Sequence, residues 1–175
     1  RKIKNIGEDP GWRLFADAPD LPLAKNESQI TEQRFCRRSA KLSQKEWQSV
    51  KDAAGRLEVT PSVLLMSAYA ETLRLWSSNK DFTLNLTQFD RKQLHPEVNN
   101  LVGDFTTLTL LEIKNAGNNF AERTKAIQKQ LTEDLEHTAY GAVELERELK
   151  KKDWKYAGRY YAGSVYQWSW RGAVE

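Results

Sequence analysis

The chain holds 175 residues, enough for one ordinary domain and too few for two. Apolar residues make up 39% and include six Trp, six Phe and six Tyr, so a core can be built. Lys+Arg 27 against Asp+Glu 24 leaves a formal charge of only +3, which argues against a dedicated nucleic-acid binder and gives no reason to expect a membrane surface.

The longest apolar run, Val63–Met66, is far short of a membrane span. Arg1, Lys2 and Lys4 have no apolar stretch behind them, so no signal peptide is expected. Arg1 is not expected to be the natural start. The single Cys36 cannot form an internal disulfide, which suits the cytoplasm. Its neighbours Arg34, Arg37 and Arg38 would lower a thiol pKa, but no His lies nearby in sequence. Cys36 is therefore read as an ordinary strand residue.

In chain order, the first thirty residues read as a connector. Pro10, Gly11, Pro19 and Pro22 forbid long regular structure, and Pro19–Pro22 favours an extended path. Gln33 to Leu42, with Phe35 and a basic alternation, is expected to form a strand. Ser43 and Glu46 form a capping box, and Trp47, Val50, Ala54 and Leu57 follow at helical spacing, with Gly55 weakening the last turn. Thr60–Pro61 opens a second helix, whose Leu64, Leu65, Ala68, Tyr69, Ala70, Leu73 and Trp76 predict a wide, largely buried face.

Phe82, Leu84 and Leu86 alternate with Thr83, Asn85 and Thr87, the period of a strand with one polar face. Phe105 to Ile113 is again β-like, and Asp90 to Gly103 between them is a polar loop. Asn119 and Glu122 cap a long helix through Phe120, Ile127, Leu131 and Leu135, which is expected to continue, kinked near Gly141, toward Leu149. The order of strand, two helices, two strands and a long helix predicts a mixed α/β lobe.

Chemistry is sparse. His95 and His137 are the only histidines, and neither has a Cys or carboxylate cluster at ligand spacing, so no metal site is expected. No G-x-S-x-G turn exposes a serine, and no phosphate-cradling glycine loop is present. His95–Pro96 is read as turn chemistry in preference to a general base, and His137 as solvated on a Glu-rich helix. Lys150–Lys152 is read as a solvated helix end. Val102–Thr106 leaves two readings open: Gly103–Asp104 is turn chemistry alone, or it aims a carboxylate and a hydroxyl into a cleft at the strand's edge.

Several segments together resemble the heterocyclization branch of the condensation domains of nonribosomal peptide synthetases. Ala18–Leu23 resembles that branch's proline-rich segment. Thr60–Leu65, running through Ala68–Tyr69 to Leu73 and Trp76, resembles its next motif. Phe82–Thr87, then Phe89–Arg91 and Leu94–Pro96, resembles the stretch before its Gly-Asp-Phe-Thr motif, which stands intact as Gly103–Thr106. The matches keep the family's order over roughly residues 10 to 150.

The resemblance implies a chloramphenicol acetyltransferase-like lobe, an α/β two-layer sandwich with a mixed sheet packed by helices. Two such lobes meet around a tunnel. Carrier proteins bring substrates tethered to 4′-phosphopantetheine, and no cofactor is bound directly. The family joins an acyl or peptidyl group to a cysteinyl, seryl or threonyl thioester and cyclodehydrates it to a thiazoline or oxazoline. Implied partners are carrier proteins, an N-terminal lobe and an adenylation domain of the same synthetase.

This sequence departs from the pattern in lacking the paired-aspartate N-terminal lobe, the P-V-V-F-T-S motif and the Q-T-P-Q segment. The Thr and Asp that the family uses for cyclodehydration lie in those two segments and cannot be carried over. Asp104 and Thr106 are the nearest catalytic candidates, and Asn85 and Thr87 are candidate tunnel-wall positions. Residues 1–32 are thus expected to be an inter-lobe connector, 33–153 the C-terminal lobe and 154–175 an aberrant tail. The expected fragment is inactive alone. The alternatives are a lobe of an ordinary condensation or acyltransferase domain, and a non-catalytic module that binds carrier proteins.

In that tail, Tyr156, Tyr160, Tyr161, Tyr166, Trp168 and Trp170 crowd a short stretch. So much aromatic surface needs a partner. A strand pairing with something and plain disorder are two readings. A third starts from one permitted codon choice for Tyr161–Ser169, TAC GCC GGT AGT GTT TAC CAG TGG AGC. Read one base later, it spells Thr-Pro-Val-Val-Phe-Thr-Ser-Gly. The tail then reads as the family's continuation out of frame, with a frameshift before Tyr161.

Overall fold

The structure is a computed structural model and describes residues 18–136, apart from 26, 33, 35, 90 and 92, together with residue 147 and the backbone of 165–167. Three α-helices and a three-stranded sheet are described: α1 (Gln44–Leu57), α2 (Pro61–Trp76), β1 (Phe82–Phe89), β2 (Thr106–Ile113), α3 (Phe120–Leu135) and β3 (Val165–Gln167).

Each helix starts where a side chain satisfies its first free amides. In α1 the Ser43 hydroxyl accepts from Glu46 N at 3.3 Å, and the Glu46 carboxylate accepts from Ser43 N at 2.7 Å. The hydroxyl and amide of Ser43 hold the Glu46 carboxyl below its ordinary pKa. Thr60 caps α2 through Val63 N, with Pro61 in the first turn, where its missing N–H costs nothing. Asn119 accepts from Glu122 N at 2.9 Å to open α3. The Glu122 carboxylate reaches one residue further back, to Asn118 N.

Two turns need unusual backbone. Glu58 closes α1 in the left-handed region at φ 58, its amide bonding Ala54 O and Gly55 O. Gly117 leads into α3 at φ 96, and a Cβ there would sit 2.7 Å from Glu122 Cβ, so only glycine fits.

β1 and β2 run antiparallel in a register that pairs Phe82 with Ile113 and Phe89 with Thr106. The side chains of one face, Phe82, Leu84, Leu86, Leu111 and Ile113, pack on Val63, Met66, Ala70 and Leu73 of α2 and Ile127 of α3. Phe82, Leu84, Leu111 and Ile113 are fully buried. Each such side chain contributes roughly 1.5–3 kcal/mol of apolar transfer. The ribbon's other face carries the candidate residues Asn85 and Thr87. β3 lies parallel on the free edge of β1, with Asn85 opposite Val165 and Thr87 opposite Gln167.

Ion pairs lock the helices to the sheet end. Arg74, 8% exposed, donates to Lys80 O and Lys114 O and pairs with Glu71. Glu71 in turn takes two bonds from Arg123 of α3, at 2.8 and 3.0 Å. Burial pushes the Glu71 carboxyl up, but the hydrogen bonds and charges of Arg123 and Arg74 outweigh it and hold the carboxyl below its usual value. The connector is docked as well. Asn79 accepts from Asp20 N and donates to Ala18 O, Ser78 N donates to Asp20 O, and Leu21 packs against the core.

Three expectations are corrected. The described residues between 33 and 42 form no strand. They run exposed and pair with no other strand, and alternation without a ladder partner does not make one. The buried stripe of α2 is Val63, Met66, Ser67, Ala70, Leu73 and Arg74, leaving Ala68 and Trp76 exposed. Ser67 is tolerated inside because its hydroxyl returns to Val63 O at 2.8 Å. β2 begins at Thr106, one residue later than expected, because Asp104 turns the chain there. The expected kink at Gly141, His137 and the Lys150–Lys152 run lie outside the described residues.

Candidate functional site

The strand period places Thr83, Asn85, Thr87 and Phe89 of β1 on the face turned away from the helices. The register places Glu112, Leu110, Leu108 and Thr106 of β2 beside them. Asn85 stands directly opposite Leu110, and Thr87 opposite Leu108. Thr106 is the diagonal neighbour of Thr87, about 7–8 Å away. Three of the four candidate residues therefore share one face. Asn85 is 5% exposed, Thr87 half-buried and Thr106 exposed, a gradient from the middle of the ribbon to its open end. Buried Asn85 and Thr83 are not without partners.

Asp104, the fourth, sits just beyond the end of that face. Its Oδ1 accepts from Thr106 N at 2.8 Å, closing a turn. The Thr106 hydroxyl first, and the Thr106 amide second, hold the Asp104 carboxyl below its ordinary range. At neutral pH it is a carboxylate, able to accept a proton or a hydrogen bond but not to donate one. Gly103 has open space on its flank, a Cβ there meeting only the Phe105 ring at 3.7 Å.

Sequence reasoning gave Arg91 no role, and the structure makes it the hub of this end. Its guanidinium lies 4.1 Å from the Phe105 ring centroid and 5.5 Å from that of Phe89. The two rings meet edge to face at 5.8 Å. Arg91 Nη1 donates to Val98 O at 3.1 Å and Asn99 O at 3.0 Å. The signal was available: an arginine follows one phenylalanine at the loop's entrance, and a second phenylalanine stands at its exit.

His95 is exposed, and its Nδ1 accepts from Glu97 N at 3.2 Å, which is turn chemistry. Cys36 is exposed and free. Among the described residues no group of His, Cys, Asp and Glu is placed to hold a metal, and no helix is long and apolar enough to cross a membrane. A shallow cleft lined by Glu112, Lys114, Ala116, Ala126, Ile127 and Gln130 includes none of the candidates.

Comparison with known proteins identifies the family. The family model described as Condensation domain matches residues 12–156. Pyochelin synthetase PchF of Pseudomonas aeruginosa (strain UCBPP-PA14) is 37% identical over 147 residues, 81% of this chain and 8% of that protein. Phenyloxazoline synthase MbtB of Mycobacterium sp. (strain MCS) is 32% identical over 152 residues, 83% of this chain and 13% of that protein. The cyclization-docking bidomain of the nonribosomal peptide synthetase EpoB from Sorangium cellulosum superposes with a TM-score of 0.73 at 31% identity, covering 87% of this chain and 31% of that one. The chain thus spans well under a third of the curated relatives' length.

Proposed function

This chain belongs to the condensation-domain family of nonribosomal peptide synthetases, and from that premise we propose that it is part of a heterocyclization domain. In this reading the domain joins a carrier-bound acyl or peptidyl group to a cysteinyl, seryl or threonyl thioester, then cyclizes and dehydrates the product to a thiazoline or oxazoline. What supports the branch is the likeness to a cyclization domain over 87% of the chain, together with the intact Gly103–Thr106 motif.

The chain's part is one wall. Asn85 and Thr87 offer hydrogen-bonding groups along the face turned away from α2 and α3, where a tethered thioester would lie extended. The Asp104 carboxylate at the open end would accept a proton, and Thr106 holds it in place. Two thioesters held close together gain from proximity, and a second lobe closing over the face would keep water from the dehydration. That lobe, the carrier proteins with their phosphopantetheine arms and the adenylation domain are the partners this reading requires.

The organisation proposed is a connector over 1–32, the C-terminal lobe over 33–153 and an aberrant tail over 154–175, read as out of frame from just before Tyr161, although Val165–Gln167 pairs with β1. In its support, the family match ends at residue 156. The nucleotide sequence decides the tail: without P-V-V-F-T-S in the shifted frame, that part fails.

A non-catalytic module that docks carrier proteins is the second reading, favoured by one observation: the Asp104 carboxylate is already engaged by its own turn. A pull-down with phosphopantetheinylated carrier protein separates the two: a docking module retains the carrier, and a wall without its other lobe does not. The 175-residue chain, incubated with acylated and cysteinylated carrier proteins, is expected to yield no thiazoline by mass spectrometry. Measurable turnover would overturn the one-wall account.

A further inference from the structure

We propose that Arg91 is the positioning residue of the Gly103–Thr106 turn, acting through Phe105 and the backbone of the loop. The inference rests on the reading of that turn as part of a heterocyclization site, and goes beyond it by naming what holds the turn in place.

The geometry is that of a clamp. β1 ends at Phe89 and β2 begins at Thr106, and the long loop between them must bring its exit back to its entrance. Register pairs Phe89 with Thr106, so the two ends are in contact. Arg91 spans this closure three ways. Nη1 grips the carbonyls of Val98 and Asn99, and the guanidinium carbon sits over the Phe105 ring at 4.1 Å and over the Phe89 ring at 5.5 Å. Phe105 is the residue between Asp104 and Thr106, so a ring held by Arg91 sets the direction in which both flanking side chains leave the backbone.

The arrangement is not one that stability alone would select. Arg91 Nε is buried with no hydrogen-bond partner among the described residues. An unsatisfied buried donor carries a cost comparable to what a desolvated cation–π contact returns. The rest of the loop contributes little packing, since Leu94, Leu101 and Val102 are exposed. Among the described residues of the loop's middle, Val98, 7% exposed, is the buried apolar side chain. Lysine is a poor substitute, because its ammonium lacks the planar, delocalised fork that lets arginine bond the carbonyls and lie against aromatic rings at once.

The test uses the full chain and no substrate, so its failure is distinct from failure of the catalytic reading, which is judged on product. Arg91→Met keeps the apolar stem, and Arg91→Lys keeps the charge. Amide hydrogen exchange and an NMR titration of Asp104 are measured on both. In Arg91→Met, exchange at residues 98–106 is expected to rise at least tenfold while Val63–Leu73 and Phe82–Leu86 keep their protection. The Asp104 titration should move upward toward an ordinary aspartate as the Thr106 bonds loosen. Arg91→Lys should restore neither fully. Unchanged exchange in the loop, an unmoved Asp104 titration, full rescue by lysine, or protection lost evenly across the whole chain would each overturn the proposal.

Discussion

Replacing Glu71 by alanine is expected to destabilise the chain by roughly 2–3 kcal/mol, just below the range for removing one partner of a fully buried pair. The reason lies in what is left behind. Arg74 has a side chain only 9% exposed and Arg123 one 18% exposed, and Glu71 is the one carboxylate that bonds both. Arg74 would keep its carbonyls, Lys80 O and Lys114 O, but lose its counter-charge. Because Glu71 itself is 29% exposed, water moderates the loss. The melting temperature should fall by roughly 4–12 °C.

Acid supplies the control. The Glu71 carboxyl is held below its ordinary value, so its contribution is present above the unfolded pKa of about 4.3 and fades as pH falls through the lower folded value. Glu71→Gln mimics the protonated acid. Its deficit against the wild-type chain should therefore be full at pH 7 and close progressively below about pH 4. A deficit that stays constant down to pH 2 would place the effect in packing and not in charge.

Phe82→Ala is expected to cost more, about 3–5 kcal/mol, as for other large aromatic truncations in cores. Phe82 is fully buried at the first position of β1, with the Arg74 guanidinium 5.9 Å from its ring. It packs within the cluster that joins α2, α3 and the sheet. Loss of this anchor strands the register that places Asn85 and Thr87 beside β2. Denaturant melts would show a lower midpoint, and amide exchange would rise first along Phe82–Leu86 and Leu111–Ile113. A cost below about 1 kcal/mol would mean that the site end and the core end of β1 are held independently.

What the sequence disclosed follows from the range of the interactions. Helix starts were legible because each is written within three or four residues: Ser43 with Glu46, Thr60 with Pro61, Asn119 with Glu122. The polar face of β1 was legible because a strand's period is two. The strand expected over 33–42 was not sound, since alternation says nothing of a partner. The buried stripe of α2 was misplaced because Ser67 and Arg74 count as polar in any periodicity, while inside the fold their hydrogen bonds are met locally.

The site shows the same division. Asn85 and Thr87 could be put on one face from sequence, but Thr106 joins them only through a register set by the loop that Arg91 closes. Whether Gly103–Asp104 was turn or cleft could not be read from four residues. In the structure it is a turn, and it stands at the open end of the polar face. Asn79 binding Asp20, 59 residues away, left no local trace at all.

The wall account is tested most directly by transplantation. Residues 12–156 replace the matching stretch of a heterocyclization domain whose thiazoline-forming activity is measured in parallel, and the carrier-bound product is weighed by mass spectrometry. A chimera that melts cooperatively is expected to give the condensed product lighter by one water, the mark of cyclodehydration. A folded chimera that delivers only the linear amide, or no condensation at all, would contradict the claim that this chain carries a heterocyclization wall.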